Sequence, residues 1–319
     1  MTEGMWFKGN LHSHTTVSDG KWTPEQAVGE FRRHGYSFLC LSDHNIYTDY
    51  RQKFNDDSFI TLPGTEAAAV LYDASGNCVK THHINGILGT SAMQKEAVKP
   101  LLQHGQLYGP FEYHGTWNGQ KAAQDIIDDL HARGCIVTYN HPVWSRVEPE
   151  EVTGLSHIDM LEIYNYNTVN ESGTGYDTTF WDNMLRSGRR QNADAADDNH
   201  NGGQFDDAFG GFIMVRAGEL TQDAVITAIL NGNYYSSSGP EIYDWEVTQN
   251  QVSVKCSPAQ RVNFIMDGYV GAGTTVIAHG KQLLTECTAE LHGPEHYVRI
   301  ECMDEKGRVA WTNPLFTGK

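Results

Sequence analysis

Between residues 6 and 240, short apolar strand-like runs alternate with amphipathic helical stripes, and this alternation confines the chain to an α/β architecture. The run from Trp6 to Leu11 reads as a first strand. A helix follows, with Thr23 as N-cap, Pro24 at its first position, Ala27, Val28 and Phe31 at helical spacing, and Gly35 as its stop. Phe38 to Ser42 is the next strand. Ala123, Ile126, Ile127 and Leu130 form a second helical stripe closed by Gly134, before a strand from Ile136 to Tyr139. Ile158 to Ile163 and Phe212 to Val215 are further strands. Phe180, Trp181, Met184 and Leu185 mark a helix from Asp177 to Gly188, and Thr221 caps one that carries Val225, Ala228 and Ile229. Parallel strands covered by helices make either a barrel or an open α/β sheet. No glycine-rich phosphate loop follows the first strand, which weighs against a nucleotide-binding sheet.

The pattern changes after about residue 240. Val252 and Val254, Val262 and Phe264, Val298 and Ile300, and Val309 to Phe316 have the period of strands, without long helical stripes. The expected organisation is therefore a domain over 1–240 and a small antiparallel, sandwich-like β domain over 241–319. The stretches 91–120, 165–177 and 201–210 are weakly patterned or rich in Gly, Asn and Asp, and read as rim loops or lids.

Composition excludes some partners. A formal charge of −17 over 319 residues repels a polyphosphate backbone and disfavours a nucleic acid polymer. The opening MTEGMWFKGN lacks a basic start followed by an apolar run, and no stretch approaches the ~20 apolar residues of a membrane helix. The expectation is a cytoplasmic protein with a small-molecule substrate. The six cysteines are scattered, without metal-knuckle or redox spacing, and read as reduced and mostly buried.

Histidine is the anomaly: there are 15, several of them beside Asp, Asn or Pro. His12, His14 and Asp19 follow the first strand, Asp43 and His44 the second, and Glu66 the run Ile60 to Leu62. His82 and His83 precede an apolar run, His141 follows Ile136 to Tyr139, and Asp198 and His200 follow a strand-like stretch near Gln191 to Ala195. In a parallel barrel such strand ends open on one face. Several carboxylates gathered there without cations would raise one another's pKa, so the set points to metal. Mixed nitrogen and oxygen donors suit zinc, manganese or iron. Asp43 and His82 read as supports of neighbouring ligands, and His34, His104, His131 and His157 as peripheral. Ser13 and Ser42 read as turn residues.

In order along the chain, HSHTTVSDG, SDHN, Glu66, HHIN, NHP and DNH resemble the PHP (polymerase and histidinol phosphatase) superfamily of metal-dependent phosphoesterases, over residues 6 to about 240. The branch most similar is that of the carbaryl-hydrolase-like metallohydrolases. The resemblance implies a distorted seven-stranded (β/α) TIM-like barrel binding two or three divalent cations. His12, His14, Glu66 and Asp198 would hold one cation. Glu66 would bridge to a second, held also by His83 and His141. Asp19, His44 and His200 would hold the third, with Asp19 standing where histidine is more usual.

The expected activity is hydrolysis of a small phosphomonoester or phosphodiester by a metal-bound hydroxide. Glu66 is central, and His44 or His200 is a proton donor if the third position is empty. A carbamate, ester or amide hydrolase using the same centre is the alternative. Arg146 is the first candidate to bind substrate, ahead of Arg51 and Lys80. Trp144, Tyr164 and Tyr166 are candidates for an apolar wall.

Overall fold

The computed structural model describes residues 4–317, and the chain divides into two compact units between Asn233 and Tyr234. In the first unit eight strands are hydrogen-bonded side by side: β1 (Met5–Asn10), β2 (Phe38–Leu41), β3 (Ile60–Tyr72), β4 (Cys78–Leu88), β5 (Cys135–Tyr139), β6 (Met160–Asn165), β7 (Asn192–Ala196) and β8 (Phe212–Ala217). Their spatial order is β7-β6-β5-β4-β3-β2-β1-β8. The pairs β1–β2, β2–β3, β5–β6 and β6–β7 are parallel.

Not all strands are parallel, as the alternation had suggested. β3 and β4 are antiparallel, with Glu66 opposite Asn85 and Ala68 opposite His83. Only residues 73–77 join them, too few for the crossover a parallel pair requires. β4–β5 and β1–β8 are antiparallel too.

The expected closed seven-stranded barrel is not present as a continuous ladder: no strand pairing joins β7 to β1 among the described residues. Side chains take the place of backbone partners at this seam. Asn10 Oδ1 accepts the N–H of Asp197, and the Asp197 carboxylate accepts those of Phe209, Gly210 and Gly211. Just beyond the strand ends, the backbone bonds Asp198 N–H to His12 O and His14 N–H to Asn199 O tie the two segments together, both at 3.0 Å.

The helices cover the sheet for the reasons their sequences announce. Pro24–Arg33 has Thr23 and Gln26 in a reciprocal capping box, and it buries Ala27, Val28 and Phe31 against Tyr36, Leu39, Leu41, Phe59 and Phe212. Gly119–Ala132 buries Ala123, Ile126, Ile127 and Leu130 and is released by Gly134 at φ +77°. It lies close on β4 because Gly86 lacks a side chain: a Cβ there would come within 2.5 Å of Leu130 Cδ2. Two of the expected loops contain helices. Ser91–Glu96 is capped by Thr90, and Tyr166–Ser172 by Asn165, with the left-handed Gly173 ending it. These short helices depend on their caps more than on an apolar stripe, which is why periodicity did not disclose them.

The second unit contains two antiparallel sheets. One runs Tyr234–Ser237, Val309–Thr312, Tyr297–Met303, Arg261–Met266, Thr274–Ile277; the other runs Ile242–Val247, Gln251–Ala259, Leu284–Glu290. All six cysteines are free thiols, and only Cys78 is exposed. No helix among the described residues is long and apolar enough to cross a membrane.

Candidate metal centre

The first unit brings His12, His14, Asp19, His44, Glu66, His83, His141, Asp198 and His200 together in one cluster. His12 and His14 lie two apart on the extended segment after β1, which aims both rings the same way. Their Nε2 atoms stand 3.2 Å apart. Both face Glu66 and Asp198: His12 Nε2 is 3.1 Å from Glu66 Oε1 and from Asp198 Oδ1, and His14 Nε2 is 2.9 Å from Asp198 Oδ1. All four residues are buried.

Glu66 was expected past a strand end but lies inside β3. That strand leaves the parallel pairing with β2 at Pro63 and continues as the partner of β4, so Glu66 sits where one pairing hands over to the other. His83 lies within β4, whose strand begins before it at Cys78. The hairpin sets the two face to face. Glu66 Oε1 is 3.1 Å from His83 Nδ1 and 3.3 Å from His141 Nε2, while Oε2 is 2.8 Å from His44 Nδ1. One carboxylate thus serves imidazoles from the segments after β1, β2 and β5 and from β4 itself.

The outer part of the cluster is more open. Asp19 Oδ1 is 3.4 Å from His200 Nε2, and Asp19 Oδ2 is 3.7 Å from His44 Nε2. The rings of His44 and His200 stack on that of His14, at 4.1 and 4.3 Å between centroids. His14 therefore touches both parts, a role not foreseen for it.

Electrostatics follow from the crowding. Burial alone would lower the pKa of His12, but Asp198, Glu66 and Glu162 outweigh it and leave it well above the usual value. Burial would raise Glu66 and Asp198; the surrounding histidines instead hold both well below the ordinary carboxylate range. His200 is desolvated too, yet Asp19 and Asp198 lift it to about 9. Each sign of charge is stable here only because of the other.

Glu162 is the residue missed from sequence. Its Oε1 accepts from His12 Nδ1 at 2.9 Å, which points Nε2 into the cluster and, once the ring gives up its second proton to a cation, would leave the Nε2 lone pair there. Its Oε2 accepts from His141 N–H at 3.0 Å and from Asn165 Nδ2 at 3.0 Å. The available signal was a carboxylate inside the apolar run Met160–Ile163. Asn165 also donates to Asp198 Oδ2, and Asn140 to Glu66 Oε1. Backbone strain accompanies these supports, since His141 and Asp198 hold left-handed φ values of +27° and +56°.

Other sequence candidates lie off the cluster. The Asp43 carboxylate accepts from Thr15 N–H, Thr15 Oγ1 and Ser18 Oγ, pinning the turn after His14. His82 contacts the Tyr139 hydroxyl and stacks on Trp117. His34 stacks on Phe209, His104 Nδ1 accepts from Asp49 N–H, and His131 pairs with the His157 carbonyl. Arg51 is held by Asp49 and Gln222, and Lys80 by Glu151.

The cluster opens into a cavity of about 340 Å³ whose other walls include Trp144, Glu171, Phe205 and Asp207. Arg146 does not line it, and neither does any other Arg or Lys among the described residues. Tyr164 and Tyr166 are not on its wall either: Tyr164 is buried within β6 and the Tyr166 hydroxyl donates to Asp206. Phe205 supplies apolar surface there instead.

No family model matches this chain, and no curated protein matches it. Among solved structures it is similar to a two-domain protein from Bacteroides vulgatus ATCC 8482 containing a predicted PHP-like metal-dependent phosphoesterase. Identity is 14%, with 98% of this chain and 96% of that one covered, at a TM-score of 0.48. It is also similar to a candidate metal-dependent phosphoesterase from Bifidobacterium adolescentis ATCC 15703, at 15% identity over 70% of this chain and 95% of that one, with a TM-score of 0.44. Likenesses at this level decide neither fold nor activity for the chain.

Proposed function

We propose that this protein is a metal-dependent hydrolase of the PHP type, and that it cleaves a small phosphoester. The observation that carries the reading is the convergence of His12 Nε2 and His14 Nε2 on Glu66 and Asp198, in a buried site that opens on the cavity through Asp198. Glu66 Oε2 and Asp198 Oδ1 are buried there with no well-directed hydrogen bond. Acceptors packed this way fit a cation, and the donor set of imidazole and carboxylate suits zinc, manganese or iron.

His12, His14, Glu66 and Asp198 would hold one cation, Glu66 with His83 and His141 a second, and Asp19, His44 and His200 a third. Such cations supply a water acidic enough to ionise near neutral pH and positive charge for the substrate's oxygens. The chain does the rest. Glu162 and Asn165 keep His12 and Asp198 in position, and Asn140 orients Glu66. His200 commits Nδ1 to the Asp198 carbonyl, so its Nε2 is the atom that would carry a proton toward a leaving group when no cation holds it. Trp144 and Phe205 flank the substrate. The backbone ties between the segments after β1 and β7 support a distorted seven-stranded barrel, with the cluster at its seam. A carbaryl-hydrolase-like branch fits the motif forms.

One observation favours the carbonyl-hydrolase alternative. A phosphoester leaves two or three anionic oxygens to satisfy, and the cavity offers no guanidinium of its own. The phosphoester reading therefore requires the cations to meet that charge. The deciding experiment combines metal analysis with a competition assay of inorganic phosphate against a neutral aryl ester. Bound divalent metal, tight inhibition by phosphate and no ester turnover are expected. Ester cleavage indifferent to phosphate sinks the phosphoesterase in favour of the carbonyl hydrolase.

A further inference from the structure

We propose that a second pocket beside the cluster cavity is a substrate subsite, in which Arg146 binds an oxyanion remote from the scissile bond. The proposal rests on the hydrolase reading above and names a substrate class for it: small esters that carry a second carboxylate or phosphate.

The pocket has a volume of about 390 Å³ and is lined in part by Lys80, Ser145, Arg146 and Thr174. Trp144 and Glu171 line both this pocket and the cluster cavity. They form a partition, Trp144 Nε1 donating to Glu171 Oε2 at 2.6 Å. A ligand in one space therefore lies one indole away from a ligand in the other.

A single short segment serves both sides. His141 faces the cluster, and its Nδ1 is 3.1 Å from Ser145 Oγ. Ser145 in turn donates its N–H to the His141 carbonyl and accepts from Thr81 N–H, which ties the segment to β4. Arg146 follows at once, its backbone at φ +62°, a conformation that non-glycine residues seldom adopt. The same turn that sets a cluster histidine thus sets a guanidinium on the far side of Trp144.

Charge supports the assignment. The cluster cavity has no Lys or Arg on its wall among the described residues, so an anionic group outside the reach of the cations finds no partner there. In the second pocket Lys80 is already neutralised by Glu151, 2.7 Å away. Glu171 also lines this pocket; it accepts from Trp144 Nε1 and keeps its negative charge, which Arg146 must outweigh. Among the described residues, no carboxylate lies within ion-pair distance of Arg146. An unpaired guanidinium beside hydroxyl groups is a receptor for a planar or tetrahedral oxyanion, which it can grip through two parallel N–H bonds. Carboxylate and phosphate share that chemistry.

The test compares phenyl phosphate with carboxyphenyl phosphates and phenylene bisphosphates, using the metal-loaded wild type, Arg146→Ala and Arg146→Lys. The rise in KM caused by Arg146→Ala should be at least about tenfold larger for the doubly anionic esters than for phenyl phosphate. Arg146→Lys should recover only part of it, because an ammonium lacks the fork. Whichever second anion shows the larger discrimination identifies the group the pocket prefers. Equal penalties on singly and doubly anionic esters would overturn the subsite while leaving the hydrolase intact. If no ester is turned over, calorimetry of chelator-treated protein with phenylene bisphosphate and terephthalate decides. Binding weakened at least about tenfold by Arg146→Ala supports the subsite even as the hydrolase reading falls. No binding to wild type, or equal binding to both proteins, overturns the subsite.

Discussion

The deep and outer parts of the cluster use the same residue types but are held differently. His12, His14, Glu66 and Asp198 are buried, and Glu162, Asn165 and Asn140 brace three of them from behind. Asp19 is exposed, and His44 and His200 are half-buried. His44 leans on Glu66, and His200 on the Asp198 backbone. A ligand braced by buried hydrogen bonds is preorganised, whereas one on a loop must be ordered when its cation arrives. The deep positions should therefore bind tightly and cooperatively, and the outer one weakly and separately.

The largest effect tests the joint between the two parts. Glu66→Gln keeps the shape and removes the charge that five imidazoles face. It should lower turnover by at least about a thousandfold and reduce bound metal, with the circular dichroism spectrum unchanged. Near-normal activity would remove Glu66 from the mechanism.

The next tests the bracing. Glu162→Ala frees His12 Nδ1 and leaves the His141 N–H and one of the two Asn165 amide N–H groups without an acceptor, the other still reaching Asp198. Metal affinity should fall about 10–100-fold, and stability by about 1–3 kcal/mol for the buried donors left unpaired. Glu162→Gln, which can still accept from His12, should lose much less of both. Equal losses in the two variants would show that charge matters more than bracing.

A smaller and more selective change is expected at the rim. Asp19→Asn should lower metal content by about one equivalent at limiting metal while the deep positions stay filled. Loss of all bound metal would break the distinction between the two parts.

The smallest effect sets a baseline from a carboxylate with no cation to hold. Burial would raise Asp129, but hydrogen bonds from Arg133, Lys99 and Tyr108 hold it at about 2. A depressed carboxylate contributes stability above its unfolded pKa, and that contribution is lost as pH falls through about 2. Asp129→Asn should flatten acid unfolding between about pH 4 and 2. At neutral pH it should cost no more than about 1 kcal/mol, because solvent screens the site. Metal content should be unaffected.

Much of the site was legible because its residues carry local signatures. His12 and His14 stand two apart beyond a strand, and His141 and Asp198 follow strands that hydrophobicity marks. The supports were not legible. Asn165 and Asn140 look like ordinary turn residues until Glu162, Asp198 and Glu66 arrive beside them. Arg146 was placed near the cations by its distance from His141 along the chain, but five residues of turn carry it past Trp144 into the neighbouring pocket.

By itself the sequence determined the four longer helices, the caps Thr23 and Thr221, most of the strands, and the kinds of atom that could meet at the strand ends. These depend on periodicity, capping and side-chain chemistry, which act within a few residues. Only the tertiary structure decided that β3 and β4 form a hairpin, that Glu66 lies at a handover between pairings, and that Glu162 stands behind His12. Strand pairing joins residues far apart in the chain, and a carboxylate in an apolar strand acquires its meaning from the partner placed opposite it. His12 and Glu162 lie 150 residues apart, and only the assembled sheet brings them to 2.9 Å.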